Sequence, residues 1–272
     1  MIIDIHTHVF PDAIASKSVA FLTEKAAGAV HASTDGTLNG LKKSMRKSGV
    51  DVSVVQPVVT RPSQFDSINR FAAEINGRDG VYSFGGIHPD DETPQEHIAA
   101  IRALGLRGVK LHPDYQGVMI DDPRNIRLIR LAVETGLLVM THAGFDVGFP
   151  ELIHCPPPAA KRMLEAVYGA DRSRVEPRII LAHLGGYTQL DEVAAYLAGE
   201  PVYLDVSFAL PRVEPEAVLR LIRAHGADRI LFGSDCPWGD QADFVARMRA
   251  LPLSDAEREA IMGGNAKRIL GL

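Results

Sequence analysis

The sequence predicts an α/β protein with a (β/α)8 TIM barrel, and three observations support this fold class. Eight short apolar runs rich in valine and isoleucine recur along the 272 residues, as expected of strands that are buried on both faces of a parallel sheet. Amphipathic stretches with helical periodicity separate most of these runs. The length suits one such barrel, which typically takes about 250 residues. We therefore predict a single domain over residues 1–272.

The predicted strands are mostly continuous apolar runs, which favours a parallel sheet over a one-sided antiparallel sheet. They are Ile2–Val9, Val50–Val59, Val81–His88, Gly108–His112, Leu137–Ala143, Arg178–Leu184, Val202–Phe208 and Arg229–Gly233. A doubly wound open sheet is the alternative. That fold usually carries a glycine-rich phosphate turn after its first strand, whereas residues 6–11 here read His-Thr-His-Val-Phe-Pro.

Residues typical of helix starts and helix ends support the predicted alternation of strands and helices. Thr93 followed by Pro94 is typical of a helix start, and Gly136 is typical of a helix end. The predicted helices are Asp12–Ala27, Thr93–Leu104, Asp122–Thr135, Pro158–Tyr168, Tyr187–Leu197, Glu214–Ala224 and Asp243–Leu251, with two short helices in the tail over 253–272.

Composition narrows the class of protein. The formal net charge of −5 and the lack of a dense Lys/Arg stripe disfavour nucleic acid as the main partner. Two cysteines, Cys155 and Cys236, cannot form a disulfide framework, which suggests a reducing compartment. We find no apolar run long enough to span a membrane and no signal-peptide pattern. We therefore expect a cytoplasmic protein.

Two histidines follow each other at i and i+2 within the first strand. Because a strand alternates its faces, His6 and His8 are expected to point one way and Ile3 and Ile5 the other. Two imidazoles at one strand end can bind a single metal ion, although two solvated histidines near a frayed terminus would give the same pattern.

Further polar residues fall at the carboxyl ends of other predicted strands, where barrel enzymes place their active sites. These residues are His88, Lys110, His112, His142, His183 and Asp235. So many histidine, lysine and aspartate side chains directed at one cavity are hard to explain by chance.

The order of these residues resembles the amidohydrolase superfamily of metal-dependent hydrolases. Three segments look like its amidohydrolase-related branch, which includes aminocarboxymuconate-semialdehyde-type decarboxylases: Gly-Val-Lys-Leu-His-Pro at 108–113, Ala-His-Leu-Gly-Gly at 182–186 and Gly-Ser-Asp-Cys-Pro at 233–237. Gly-Ile-His-Pro at 86–89 is similar to the TatD-type nucleases of the same superfamily. The likeness covers nearly the whole chain and ends with a helix like the family's closing helix at 265–270.

The resemblance implies that His6, His8, His142 and Asp235 hold a divalent metal. Nitrogen and carboxylate ligands suit Zn²⁺ first, and also Mn²⁺, Ni²⁺ or Fe²⁺. Asp235 is the candidate proton shuttle. His183 is either a ligand of a second metal or a donor to a developing oxyanion.

The chemical state of Lys110, carboxylated or free, is expected to determine whether the site holds one metal ion or two. In binuclear members of the superfamily a lysine on the fourth strand is carboxylated and bridges two metals, which makes Lys110 a metal ligand if it is modified in this way. Otherwise its ammonium is free to bind a substrate carboxylate, or it simply extends to the barrel mouth. His112, His88 and Arg212 are further candidates for substrate binding.

The stretch after the fifth strand, residues 144–158, is longer than most βα loops and suits a lid over the site. Asp146 and His154 in this loop are candidates to line the pocket, as are Arg61 and Trp238 elsewhere in the chain.

The main functional prediction is a metal-dependent hydrolase that directs an activated water at an amide, lactone or ester bond of a small substrate. The alternative is a metal-dependent decarboxylase of an unsaturated or aromatic carboxylic acid. A TatD-like nuclease ranks third, and a non-catalytic metal-binding barrel ranks last. We expect a small-molecule partner that can be a carboxylate, no nucleic acid and no membrane, and the sequence allows a homo-oligomer.

Overall fold

The computed structural model describes residues 1–172 and 174–272, in which parallel strands form the frame of the molecule. Three strands pair in the order β1-β2-β3 and six in the order β4 to β9, with parallel registers throughout. The strands are β1 Ile3–Thr7, β2 Val52–Val55, β3 Val81–Ser83, β4 Gly85–Gly86, β5 Gly108–Leu111, β6 Leu138–Thr141, β7 Ile179–Leu181, β8 Tyr203–Asp205 and β9 Ile230–Leu231.

Strands β3 and β4 are two parts of one predicted strand, separated by Phe84. The chain after β9 returns to β1, where Ile5 N–H donates to Phe232 O at 3.0 Å and Asp235 N–H donates to His6 O at 2.8 Å. A parallel bridge between Thr7 and Cys236 continues this pairing. The predicted α/β barrel fold is confirmed.

Helices follow most strands and pack on the outside of the sheet. They are α1 Asp12–Lys25, α2 Leu38–Ser48, α3 Phe65–Ile75, α4 Pro94–Ala103, α5 Pro113–Gln116, α6 Pro123–Glu134, α7 Pro157–Tyr168, α8 Leu190–Tyr196, α9 Pro215–His225, α10 Gln241–Ala250, α11 Asp255–Glu259 and α12 Asn265–Leu270. Within the described part of the chain, no helix is long and apolar enough to cross a membrane.

Two helices that the sequence analysis did not predict, α2 and α3, flank β2. Thr37 caps α2 by accepting from Gly40 N–H at 2.9 Å, and Gly49 ends it in the left-handed conformation. Threonine at a helix start and glycine just after a helix end are typical capping residues, and both are visible in the sequence. Helix α2 was nevertheless not predicted, because it has few apolar residues, of which Leu41 and Met45 are buried.

The apolar core has two layers, one inside the ring of strands and one between the strands and the helices. Interior residues come from alternate strand positions, among them Ile3, Ile5, Val54, Phe84 and Met140, and α12 covers them at one end through Ala266 and Leu270. The outer layer contains the neighbouring positions, such as Val55, Val139 and Leu181.

A bulge in β1 changes the direction of its histidines. Asp4 pairs with Ser53 and Thr7 pairs with Val55, so β1 has one more residue than β2 over this stretch. An extra residue re-aims the side chains that follow it. Ile5 and His6 consequently both face the barrel interior, whereas simple alternation predicts opposite faces.

Candidate metal centre

A cavity of about 800 Å³ opens at the carboxyl ends of the strands. Its position is where barrel enzymes bind their substrates. The polar groups that line its inner end are His6, His8, Gln56, Lys110, His112, His142, Asp146, His183 and Asp235. The structure therefore brings together every predicted metal-ligating and catalytic residue, together with His112.

His6, His8 and Asp235 form the tightest group of potential metal ligands. His6 Nε2 lies 3.2 Å from His8 Nε2 and 3.4 Å from Asp235 Oδ1, and His8 Nε2 lies 3.1 Å from the same carboxylate oxygen. Zinc binds nitrogen and oxygen ligands at about 2.0–2.2 Å, which places neighbouring ligand atoms about 3.0–3.5 Å apart. The three atoms therefore fit a shared divalent ion.

Asp205 and Ser207, at the end of β8, orient His6. Asp205 Oδ2 lies 2.9 Å from His6 Nδ1, and Ser207 Oγ lies 3.0 Å from the same nitrogen. When Nδ1–H donates to the carboxylate, Nε2 keeps its lone pair and points it at the cluster. Such a carboxylate–histidine pair is the usual support of a metal-ligating imidazole.

The sequence analysis missed Asp205 and Ser207, although a signal was present. Both are polar residues at i and i+2 of an apolar run, the same pattern that drew attention to His6 and His8. Asp205 also accepts from the backbone N–H groups of His183 and Ser207, at 3.0 and 2.9 Å. One buried carboxylate thus holds two strand ends in place.

Burial and neighbouring charges keep His6 and Asp235 in the protonation states that bind a cation. Burial, together with the Lys110 ammonium, lowers the pKa of His6 well below its usual value, so its imidazole is neutral. Burial opposes ionisation of Asp235, but attraction to His6 when that ring is protonated in acid, together with a hydrogen bond from His8, outweighs it and holds the pKa of the carboxyl group well below its usual range. Neutral imidazoles and an ionised carboxylate are the forms that ligate metals.

His142 lies in a neighbouring cluster with His112 and Asp146. The rings of His112 and His142 stack 4.4 Å apart, and Asp146 Oδ2 lies 3.5 Å from His112 Nε2 and 3.8 Å from His142 Nε2. Among the described side chains, His142 Nε2 and His112 Nδ1 are buried without a hydrogen-bond partner. Burial lowers the pKa of His142 to about 4, so this ring is also a neutral donor of lone pairs.

His183 lies between the two clusters. Its Nε2 lies 3.1 Å from His142 Nδ1, and its ring stacks on that of His6 with the ring centres 5.3 Å apart. The backbone of His183 has a φ of 57° and that of Asp235 a φ of 66°. Residues other than glycine seldom adopt this left-handed conformation, and such strain is concentrated at functional sites.

Lys110 is fully buried and directs its ammonium at the metal ligands. Its Nζ lies 3.1 Å from His6 Nε2, and burial lowers its pKa to about 8. The nearby carboxylates of Asp205 and Asp235 oppose that shift. The side chain is therefore inside the site and does not extend to the barrel mouth.

Two predicted substrate-binding residues, both in the described part of the chain, do not line the cavity. His88 accepts a hydrogen bond from Asp90 N–H at 3.1 Å. Arg212 donates to Phe208 O at 2.9 Å and stacks its guanidinium over the ring of Phe208 at 3.5 Å. Both side chains thus have local partners, and their contacts with a substrate stay predictions.

The loop after β6 covers one side of the cavity. Asp146 and Phe149 line it, and the Lys25 ammonium lies 3.9 Å from the centre of the Phe149 ring. His154 lies behind this wall, where its Nδ1 lies 2.9 Å from Asp114 Oδ1. Arg61 and Trp238 also line the cavity.

Solved structures share this fold. The crystal structure of a 2,6-dihydroxybenzoate decarboxylase bound to 2,6-dihydroxybenzoate is 17% identical and matches 100% of this chain and 99% of its own, with a TM-score of 0.74. A dihydroxybenzoic acid decarboxylase from Polaromonas sp. JS666, with bound manganese and 2-nitroresorcinol, is 16% identical, with a TM-score of 0.71 over 100% and 97% of the two chains.

A protein from Pseudomonas putida, assigned as a 2-pyrone-4,6-dicarboxylic acid hydrolase, is 21% identical, with a TM-score of 0.65 over 99% of this chain and 97% of its own. A search of curated protein sequences finds no significant match. The family model for amidohydrolases matches residues 3–272. With its strand-end histidines and Asp235 around one cavity, and with this match over nearly its whole length, the protein belongs to the amidohydrolase family.

Proposed function

We propose that this protein is a metal-dependent decarboxylase of an aromatic or unsaturated carboxylic acid. The observation that carries the proposal is the buried ammonium of Lys110, 3.1 Å from a metal-ligand nitrogen and inside the cavity. A cation in this place offers a partner to a substrate carboxylate next to the metal. Two similar structures are decarboxylases of dihydroxybenzoic acids, which agrees with this chemistry.

The metal would be held by His6, His8 and Asp235, with His142 as a further ligand. A bound divalent ion supplies Lewis acidity, which polarises a substrate oxygen. Zinc suits the ligand set, and the manganese in the Polaromonas enzyme makes that metal the competing identity.

The side chains of this protein would then bind the substrate carboxylate and transfer the proton. Lys110 binds and orients the carboxylate that will leave. In the reaction the bond between this carboxylate and its carbon breaks, CO₂ departs, and the carbon takes up one proton. Asp235 and His183, which both line the cavity, relay that proton from solvent to the carbon. The apolar walls of the cavity pack against the rest of the substrate.

Hydrolysis of a lactone, ester or amide is the second candidate. It is favoured by the P. putida protein, which shares the fold and is assigned as a pyrone dicarboxylic acid hydrolase. The same ligand set would serve this reaction, because a divalent metal can lower the pKa of water to about 7. In this case Asp235 would take the proton from the attacking water.

A substrate panel separates the two reactions. Protein loaded with Mn²⁺ or Zn²⁺ is assayed with dihydroxybenzoates and other unsaturated acids for CO₂ release, and with 2-pyrone-4,6-dicarboxylate and simple esters for acid release. We expect CO₂ release that disappears when the metal is stripped and returns when it is restored. Acid release without CO₂ would replace the decarboxylase with the hydrolase, and equal turnover in the metal-free protein would contradict both.

The number of metal ions tests the role of Lys110. We propose one ion per chain and a free ammonium, because the tightest group of potential ligand atoms, from His6, His8 and Asp235, fits a single shared ion. Metal analysis by mass spectrometry should then give about one ion in the native protein and in Lys110→Met, while the variant loses turnover. Two ions in the native protein and one in the variant would instead indicate a carboxylated, bridging lysine.

A further inference from the structure

The cavity extends well beyond the metal ligands, and its outer part is apolar. Its volume of about 800 Å³ falls in the range of about 300–1,000 Å³ that accommodates drug-sized ligands. A single-ring acid bound at the inner end would leave much of this space unfilled. The residues that line the outer part belong mainly to α1 and α3.

Helix α1 presents an apolar stripe to this space. Ile14, Phe21 and Leu22 lie on the face that also carries Ser18, since their spacing follows the helical repeat. Ile14 is 48% exposed and Phe21 is 61% exposed. Of the fourteen residues of α1, only Ala15 is buried. The helix thus uses its large apolar side chains to line the cavity and leaves them open to solvent.

Helix α3 presents a second stripe to the same space. Phe65, Asn69, Ala72 and Ile75 are its buried residues. Ile68 and Phe71, which are half-buried, line the cavity together with Ser67. The two stripes form the walls of what we call the α1–α3 groove, defined by Ile14, Ser18, Phe21, Leu22, Ser67, Ile68 and Phe71.

The charges around the cavity fit an anion at one end of the ligand. The cations Lys110, Lys25 and Arg61 line the cavity, against two carboxylates, Asp146 and the proposed metal ligand Asp235. Because the groove is continuous with the metal ligands, a molecule held there reaches the reacting end. We propose that the substrate is an aromatic or unsaturated acid that carries an apolar extension, such as an alkyl or aryl group, and that the α1–α3 groove binds this extension.

The proposal rests on the proposed function for the position of the carboxylate, and a binding experiment separates the two. Manganese-loaded protein is titrated calorimetrically with 4-alkyl-2-hydroxybenzoates from methyl to hexyl. Burial of each methylene stabilises binding by about 0.8 kcal/mol, so Kd should fall about threefold to fourfold per carbon. Turnover of the same compounds is measured in parallel.

Two variants and one control locate the effect. Ser18→Trp, which fills the groove from an open position on α1, should reduce the ratio of the methyl to the hexyl Kd to near one. Phe21→Ala should reduce it by about tenfold. Tyr196→Ala is the matched control, since Tyr196 is 44% exposed and lies on α8 outside the cavity lining in the described chain. In Tyr196→Ala the ratio of the methyl to the hexyl Kd should equal that of the native protein.

Each outcome has a separate meaning. A steep dependence on chain length without turnover supports the groove and contradicts the proposed reaction. Turnover with a Kd that does not change with alkyl chain length contradicts the proposed role of the groove, as does the failure of all acids to bind. A flat dependence together with a dimer that Phe21→Ala dissociates in sedimentation would show that a second copy of the chain covers this stripe, which also overturns the inference.

Discussion

Two buried polar clusters lie a few residues apart along β1, and their central groups have opposite kinds of partner. The first surrounds Asp4, between β1 and α10, and the second is the metal centre at His6. The Asp4 carboxylate accepts hydrogen bonds from Ser234 N–H and Oγ–H, at 2.9 and 2.6 Å, and from Gln241 Nε2 at 2.7 Å. At the metal centre, in contrast, lone-pair donors face each other.

The difference separates structural polar groups from functional ones. Burial raises the pKa of Asp4 to about 6, and the hydrogen bonds from Ser234 and Gln241 oppose that shift. Buried polar groups that stabilise a fold are expected to be hydrogen-bonded in this way. At the metal centre, His6 Nε2 and His8 Nε2 lie 3.2 Å apart, and His142 Nε2 is buried without a partner in the described structure. Such an arrangement needs a ligand to complete it.

Asp235→Asn tests this distinction with the largest expected effect. An amide is a weaker metal ligand and a poorer proton acceptor than a carboxylate, so kcat/KM should fall about a thousandfold, within the range typical of a proton-transfer residue. Bound metal, measured by mass spectrometry, should fall in parallel. The matched control is Asp243→Asn on the exposed surface of α10, where 46% of the side chain is accessible. Full turnover in Asp235→Asn would place the chemistry elsewhere.

Asp4→Ala should affect the fold instead. The substitution leaves the buried donors of Ser234 and Gln241 without their acceptor, and each such donor costs about 1–3 kcal/mol. The free energy of unfolding in urea should therefore fall by at least about 3 kcal/mol. Metal content per folded chain, measured at low temperature, should stay at the native value. Loss of metal without loss of stability would show that the two clusters are not separate.

The comparison also explains how far the sequence alone could predict the site. The strand-end positions of His6, His8, His142, His183 and Asp235 follow from apolar runs and barrel topology, and the structure brings these residues into one cavity. The sequence alone could not predict the local geometry, meaning strand register, helix packing and side-chain direction.

Three features depend on such geometry. The bulge in β1 requires a register between two strands, and the α1–α3 groove requires the packing of helices that flank the site. The directions of His88 and Arg212 are the third feature: both side chains have hydrogen-bond partners nearby and neither lines the cavity, so their contacts with substrate stay predictions. A residue type at a strand end is informative, but the direction of its side chain depends on the neighbours.

Asp205→Asn connects the two kinds of cluster, because Asp205 is itself well hydrogen-bonded and yet orients a metal ligand. Its amide would face His6 Nδ1 with an N–H group and favour the tautomer that carries the proton on Nε2. Metal affinity should then fall about 10-fold to 100-fold, as for other residues that support metal-ligating histidines. A chelator competition assay measures this constant, and saturating metal should restore part of the turnover. Unchanged affinity would show that His6 is oriented without Asp205.

His88→Asn is expected to have the smallest effect, and it tests whether local hydrogen bonding identifies a structural residue. His88 Nδ1 accepts from Asp90 N–H, two residues further along the chain. An asparagine at this position can make the same bond in an Asx-turn, because its side-chain oxygen also accepts from the backbone N–H two residues on. The value of kcat/KM should stay within about twofold of native, because His88 does not line the cavity and the buried hydrogen bond to Asp90 N–H is kept. A tenfold loss of kcat/KM at unchanged stability and metal content would show that a satisfied histidine can still serve the reaction, and that hydrogen bonding alone does not separate the two classes.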